Sequence, residues 1–194
     1  MGFIENALHP ERKRQENWQR FSSEVGGSFV SEGRSGGEEV HIPFKGHGIQ
    51  VRAQTIGRTR RTVLTLGHAS DDFTFRIFSW GGREIPLKDR DPYLNSEFPD
   101  LAPRVKVEFN DIKKLKSLLA NDELRRPMLE AEGSFTLEAE SNSISLDNRT
   151  NGSKENGIIT DVDQLHTALD ILKCTSQAME AIESTEPQEV LMAA

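Results

Sequence analysis

"IQVRAQTIGRTRRTVLTLGHA", residues 49–69, is the stretch on which the fold turns. Ile49, Val51 and Ala53 alternate with Gln50, Arg52 and Gln54. That period of two marks a strand with one buried and one wet face. A second extended run, "TVLTLGHA", follows after the short break "GRTRR", and two such runs joined so tightly form a hairpin. Outward from this pair, "SFVSEG" and "EEVHIPF" come before it and "FTFRIFSW" after it. The connections "RSGG", "KGHG" and "SDD" are turn-like. Consecutive strands on short turns predict an antiparallel meander, and "RVKVEF", residues 104–109, adds a sixth strand.

The flanks are helical. Trp18, Phe21 and Val25 fall on one helical face, Pro10 suits a helix start, and Gly26-Gly27 suits its stop. In "FNDIKKLKSLLANDELRRPMLEAEG", residues 109–133, Asn110 or Asp111 can cap a helix with an apolar stripe of Ile112, Leu115, Leu118 and Leu119. Lys113, Lys114 and Lys116 lie mostly off that stripe, which reads as a scaffold helix with a solubilised outer face. "NDELRRPM" is a further turn broken at Pro127. "SFTLEAE" and "SISLDN" form a hairpin. The last helix, in "GIITDVDQLHTALDILKCTSQAMEAIE", is capped by Thr160 with Asp163 and carries a seam from Val162 to Ile182. The segment 81–103 is loop-like, and so long a connection is either functional or a covering flap.

The expected architecture is α+β: an antiparallel sheet of about six strands, helices mainly on one face, a C-terminal β-hairpin and a long helix. By position it divides into a helical segment at 1–26, a single domain at 27–183 and a flexible tail at 184–194.

Composition narrows the function classes. A formal charge of -7 over 194 residues argues against nucleic acid held by bulk charge. The single Cys174 excludes an intrachain disulfide and any multi-cysteine metal site. No secretory h-region and no apolar run of membrane-spanning length occur, which places the chain in the cytoplasm as an expectation and makes "NRT" at Asn148 and "NGS" at Asn151 chance matches to a glycosylation motif.

Chemistry-bearing residues are sparse. His41, His47 and His68 all lie on predicted strands and are the candidate metal ligands, but they lack the tight or helical spacing of a metal site. Asp71-Asp72 sits in a turn, where Asp is favoured for local backbone bonding, and Asp89 with Asp91 sits among Lys88 and Arg90. Cys174 reads as a small buried hydrophobe, with only His166 near it along the helix. There is no nucleophile elbow and no dinucleotide fingerprint, so neither a cofactor nor a catalytic residue is assigned. One charge pattern stands out: Lys45, Arg52, Arg58, Arg60 and Arg61 are the only charged residues between 45 and 70. Such a cluster can receive an anion or an acidic partner, or it can guard a sheet edge against aggregation.

The order of "NWQRFSSEVGGSFV", "FTFRIFSW", "NSEFPDLAPRVKVEFNDIKKLKSLLANDELRRPML" and the last helix resembles an uncharacterised family of bacterial proteins with no assigned activity. Its helix of the form Leu-Leu-x-Asn-x-x-Leu-Arg is matched by Leu118, Leu119, Asn121, Leu124 and Arg125. The resemblance implies a fold and carries no catalytic residue. The leading functional expectation is a non-enzymatic binding module whose uncovered sheet surface and 81–104 segment contact a partner. A second is a carrier of a small apolar or anionic ligand between sheet and last helix, for which a phenylalanine-lined cavity is the expected sign. A third is an enzyme of unfamiliar type using His41, His47 or His68 with Asp71 or Asp72, which requires those side chains to converge. The partner is an unknown protein or small ligand, and the seam of the last helix can also dock on a second copy. No membrane partner is expected.

Overall fold

A computed structural model describes residues 10–31, 37–56, 59–68, 72–149 and 157–185. Eight strands form one antiparallel sheet: β1 (Ser28–Ser31), β2 (Glu38–Phe44), β3 (His47–Ile56), β4 (Thr59–Gly67), β5 (Phe75–Ser79), β6 (Val105–Phe109), β7 (Ser134–Glu140) and β8 (Ser143–Arg149). Their spatial order is β1-β2-β3-β4-β8-β7-β5-β6. The α+β class and the antiparallel sheet stand, but the expected six strands become eight, and the meander holds only from β1 to β4, since β5 pairs with β6 and β7 and not with β4. The β7–β8 hairpin is the middle of the sheet and not an appendage, pairing on one side with β4 and on the other with β5.

Register explains why. One apolar ladder crosses all eight strands: Phe29, Val40, Val51, Leu64, Leu146, Leu137, Ile77 and Val107 are successive cross-strand partners. A second runs Ile42, Ile49, Leu66, Ile144, Ala139, Phe75 and Phe109. Phe135, Leu137, Ala139, Ile144 and Leu146 of the hairpin are buried. A free-standing two-stranded hairpin is at best marginally stable; inserted between β4 and β5 it buries that whole face and closes both ladders.

Among the described residues five helices accompany the sheet: α1 (Pro10–Glu24), α2 (Pro92–Glu97), α3 (Ile112–Leu119), α4 (Asp122–Glu130) and α5 (Val162–Thr185). Trp18 and Phe21 of α1 are fully buried, and each such side chain contributes on the order of 2–3 kcal/mol by leaving water. Arg14 and Glu38 form a buried two-pronged ion pair, with Nε–Oε2 at 2.6 Å and a second guanidinium nitrogen 2.9 Å from Oε1. The helix stops at Gly26, whose φ of +68° is the left-handed region glycine favours. Gly27 then passes so close to β2 that a Cβ there would sit 2.6 Å from the His41 carbonyl oxygen.

The 81–103 segment is a covering flap, made of a 3-10 turn at Leu87–Asp89 and α2. Ile85, Leu94, Phe98, Leu101 and Ala102 are buried. Asp100 pairs with Arg125 of α4, and Glu97 with Lys116 of α3, so the flap is tied to the helices.

The caps settle the helix starts. Asp111 accepts the N–H groups of Lys113 at 2.7 Å and Lys114 at 3.1 Å. Asn110 instead bridges to the start of β5, accepting the Thr74 N–H and donating to the Asp72 carbonyl. Of the expected stripe, Leu115, Leu118 and Leu119 are buried, but Ile112 is exposed and Lys114 is buried. α4 runs through Pro127 rather than breaking there. The proline deprives only the Glu123 carbonyl of a helical donor, and Glu123 is exposed, where solvent can serve it. α5 is capped by Asp161, not Thr160: its carboxylate accepts the Gln164 N–H at 3.0 Å. Among the described residues no helix is long and apolar enough to cross a membrane.

Candidate functional site

Where α5 begins, the helix, the sheet and the α4–β7 junction part to leave a cleft of about 350 Å³. Its floor is apolar and buried: Phe135 of β7, Leu146 of β8, Ile159, and Ala168 and Ile171 of α5. Its rim is acidic. Glu130 and Glu132 stand on the junction side and Asp161 and Asp163 on the α5 side, all four exposed. Asn148, Gln164 and Thr167 add neutral polar groups, and among the described residues no Lys, Arg or His lines the cleft.

The floor is held from below. The Ile159 N–H donates to Thr62 Oγ1 at 2.8 Å, and the Ile159 carbonyl accepts the Trp18 indole N–H at 2.9 Å. Asn17 donates to the Thr160 carbonyl at 2.7 Å. Gly157 joins the edge of β4 through the Thr62 N–H at 2.9 Å. The segment from Gly157 to Asp161 is therefore clamped between α1 and the sheet, and the cleft is preformed. A second hollow of about 370 Å³ continues it toward Trp80 and Arg83, sharing Glu132, Asn148 and Asp161. Beside it the chain at Gly81 packs closely against the α4–β7 junction. That glycine has a φ of +63°, and a Cβ there would lie 2.5 Å from the Glu132 carbonyl oxygen.

The four carboxylates do not have equal standing. Asp161 and Asp163 cap and begin α5, where the helix dipole favours negative charge. Glu130 ends α4, where the dipole opposes it and no basic residue in the last turn compensates. Structural needs account for the aspartates and not for Glu130.

The expected site residues are scattered. His41 alternates with buried Val40 and Ile42, so it is on the open face of the sheet, 3.3 Å from Glu39. His47 and His68 fall on the helix-covered side by the same alternation in β3 and beyond β4. His68 is buried, and its Nε2 lies 3.6 Å from Glu183 Oε1, too far for a hydrogen bond. Asp72 is exposed, and Asp71 lies outside the described residues. Among the described residues no three His, Cys, Asp or Glu side chains gather as a metal site. Burial pushes the Cys174 thiol up, with Asp170 and Glu123 adding to the shift, so it is a poor nucleophile. His166 is engaged elsewhere, 2.9 Å from Glu24.

The basic cluster also disperses. Lys45, in the β2–β3 turn, reaches Glu180 of α5 at 2.6 Å. Arg52 and Arg61 lie on the open face, paired with Glu39 at 2.9 Å and Asp147 at 2.8 Å. Arg60 falls on the opposite face from Arg61, and Arg58 lies outside the described residues. Across the open face the charges alternate in cross-strand pairs, continuing with Arg76 and Glu138. The cleft acids escaped the sequence reading because they come from two chain segments about 30 residues apart, each of which reads locally as an ordinary helix end.

No family model, no curated protein and no solved structure matches this chain, so the functional argument rests on its own geometry.

Proposed function

We propose that the protein is a non-enzymatic binding module whose ligand site is the cleft between the α4–β7 junction and α5, and whose ligand carries positive charge on an apolar stem. The observation that carries this is the pairing of a buried apolar floor with four rim carboxylates and, among the described residues, no lining base. A volume of about 350 Å³ is near the small end for ligand sites, which suits a small amine or a single lysine or arginine side chain from a partner. The apolar stem displaces water from Phe135, Leu146 and Ile171 while the charge stays at the wet rim. An anionic ligand of the kind expected from sequence would meet four like charges there.

The test is calorimetric titration with cadaverine, with the diol of the same chain length and glutarate as neutral and anionic counterparts. Cadaverine binds and the other two do not. Glu132→Gln and Asp163→Asn each weaken cadaverine by up to about fivefold, as expected of exposed ion pairs worth at most about 1 kcal/mol. Equal binding of the diol or glutarate, or no binding of cadaverine, refutes the reading.

A further inference from the structure

The outer edge of β6 carries a pattern that fits itself. β6 ends the sheet, and its five residues read Val-Lys-Val-Glu-Phe. Turned antiparallel about Val107, a second copy sets Val107 against Val107 and Lys106 against Glu108. Opposite charges then meet twice on one face, and apolar side chains meet on the other. We propose that two copies of this chain join through their β6 strands as a two-fold dimer with one continuous sheet.

Three further observations support this occupant. First, the backbone is available. The β5–β6 ladder bonds the Trp80 N–H to the Arg104 carbonyl and the Asn110 N–H to the Thr74 carbonyl. By antiparallel alternation the even-numbered residues of β6 face β5, and Val107 and Phe109 aim their N–H and C=O groups outward. Val105 is fully buried with its N–H taken by the Leu101 carbonyl, so the open edge runs from Lys106 onward. A self-paired β6 then forms two bonds, each Val107 N–H to the other Val107 carbonyl, flanked by the two Lys106–Glu108 pairs.

Second, the pairing places Lys106 and Glu108 at a non-hydrogen-bonded position, where side chains approach most closely. Their present partners are loosely held: Glu108 is 3.6 Å from Arg76, and Lys106 stands 5.5 Å from the Trp80 ring centre. Third, two large apolar side chains are left at this edge, Phe109 at 39% exposed and Ile112 at 41%. The ladder from Phe29 to Val107 would run on into its symmetry mate. The opposite edge offers no such match, since β1 has only the four uncharged residues Ser28–Ser31. An isologous contact of this kind closes on itself and builds no filament.

Sedimentation and light scattering across a concentration series test the proposal on the whole chain. The wild type reaches twice 21.8 kDa. Lys106→Glu and Glu108→Lys each weaken the dimer by roughly tenfold or more, because both cross-strand pairs turn repulsive. Mixing these two variants restores a dimer, since each supplies the charge the other needs, and the doubly reversed K106E/E108K chain dimerises alone. Val107→Pro removes an edge N–H that β5 does not use, so it yields a monomer with an unchanged circular dichroism spectrum. A wild-type monomer at every concentration overturns the proposal. So does a dimer that survives Val107→Pro, or charge-reversed variants that do not rescue each other.

Discussion

At the scale of single residues, the fold depends on contacts that span long stretches of chain. The apolar face of α1 is legible in the spacing of Trp18 and Phe21, yet the indole donor meets a carbonyl 141 positions away, at Ile159. Nothing local in the sequence points there. Arg14 likewise reads as one charge in a basic run, but it is buried against Glu38. Arg14→Met leaves Glu38 buried without its partner and lowers unfolding free energy by about 3–5 kcal/mol, measured by urea denaturation. Adding Glu38→Leu recovers most of that loss, because the penalty lies in the orphaned charge. Gly27 was readable as a helix stop but not as a point of contact. Gly27→Ala puts a methyl 2.6 Å from the His41 carbonyl oxygen and costs about 1–3 kcal/mol as α1 and β2 move apart.

At the scale of elements, type and order were plain where the period was long and clean, as in β3, β4, α3 and α5. Placement was not. The hairpin of β7 and β8 has the same alternation as any other, and only its two outer partners, β4 and β5, show that it is central. The flap at 81–103 shows why. Its polar and proline-rich sequence reads as a loop, while Leu94, Phe98 and Leu101 in it are core residues. Its tie to α4 is the pair of Asp100 with Arg125. Partial burial works to raise the Asp100 carboxyl, but the Arg125 guanidinium and the N–H groups of Asp100 and Leu101 outweigh it and hold the group below the ordinary range. A carboxyl depressed in the folded state stabilises above its unfolded pKa, and that contribution is lost as pH falls through the folded value. Acid therefore loosens the flap, and Asp100→Asn removes that part of the acid dependence in a near-ultraviolet dichroism titration. Asn121 accepts the Glu123 and Leu124 N–H groups at the start of α4, so Asn121→Ala costs about 1 kcal/mol in the same denaturation assay.

At the scale of the whole molecule, an eight-stranded sheet has helices, flap and core on one side and paired charges on the other. The basic run from Lys45 to Arg61 looked like one patch because neighbours in sequence seem to be neighbours in space. Strand alternation divides it between two faces, and individual carboxylates meet Lys45, Arg52 and Arg61. The cleft is the converse case, in which Glu130, Glu132, Asp161 and Asp163 converge only because α5 returns across the sheet to the α4–β7 junction. Its charge also sets the response to salt: ligand affinity falls steadily as ionic strength rises, since the rim carboxylates are exposed and screened. Binding in the cleft is tested most directly by titrating the isotopically labelled protein with cadaverine and following amide and methyl chemical shifts. Saturable shifts gathered at Gly133, Asn148, Ile159, Ala168 and Ile171, needing up to about 25-fold more cadaverine in the Glu132→Gln/Asp163→Asn protein, are the predicted result. Shifts confined to the open sheet face, or none at these positions, would contradict it.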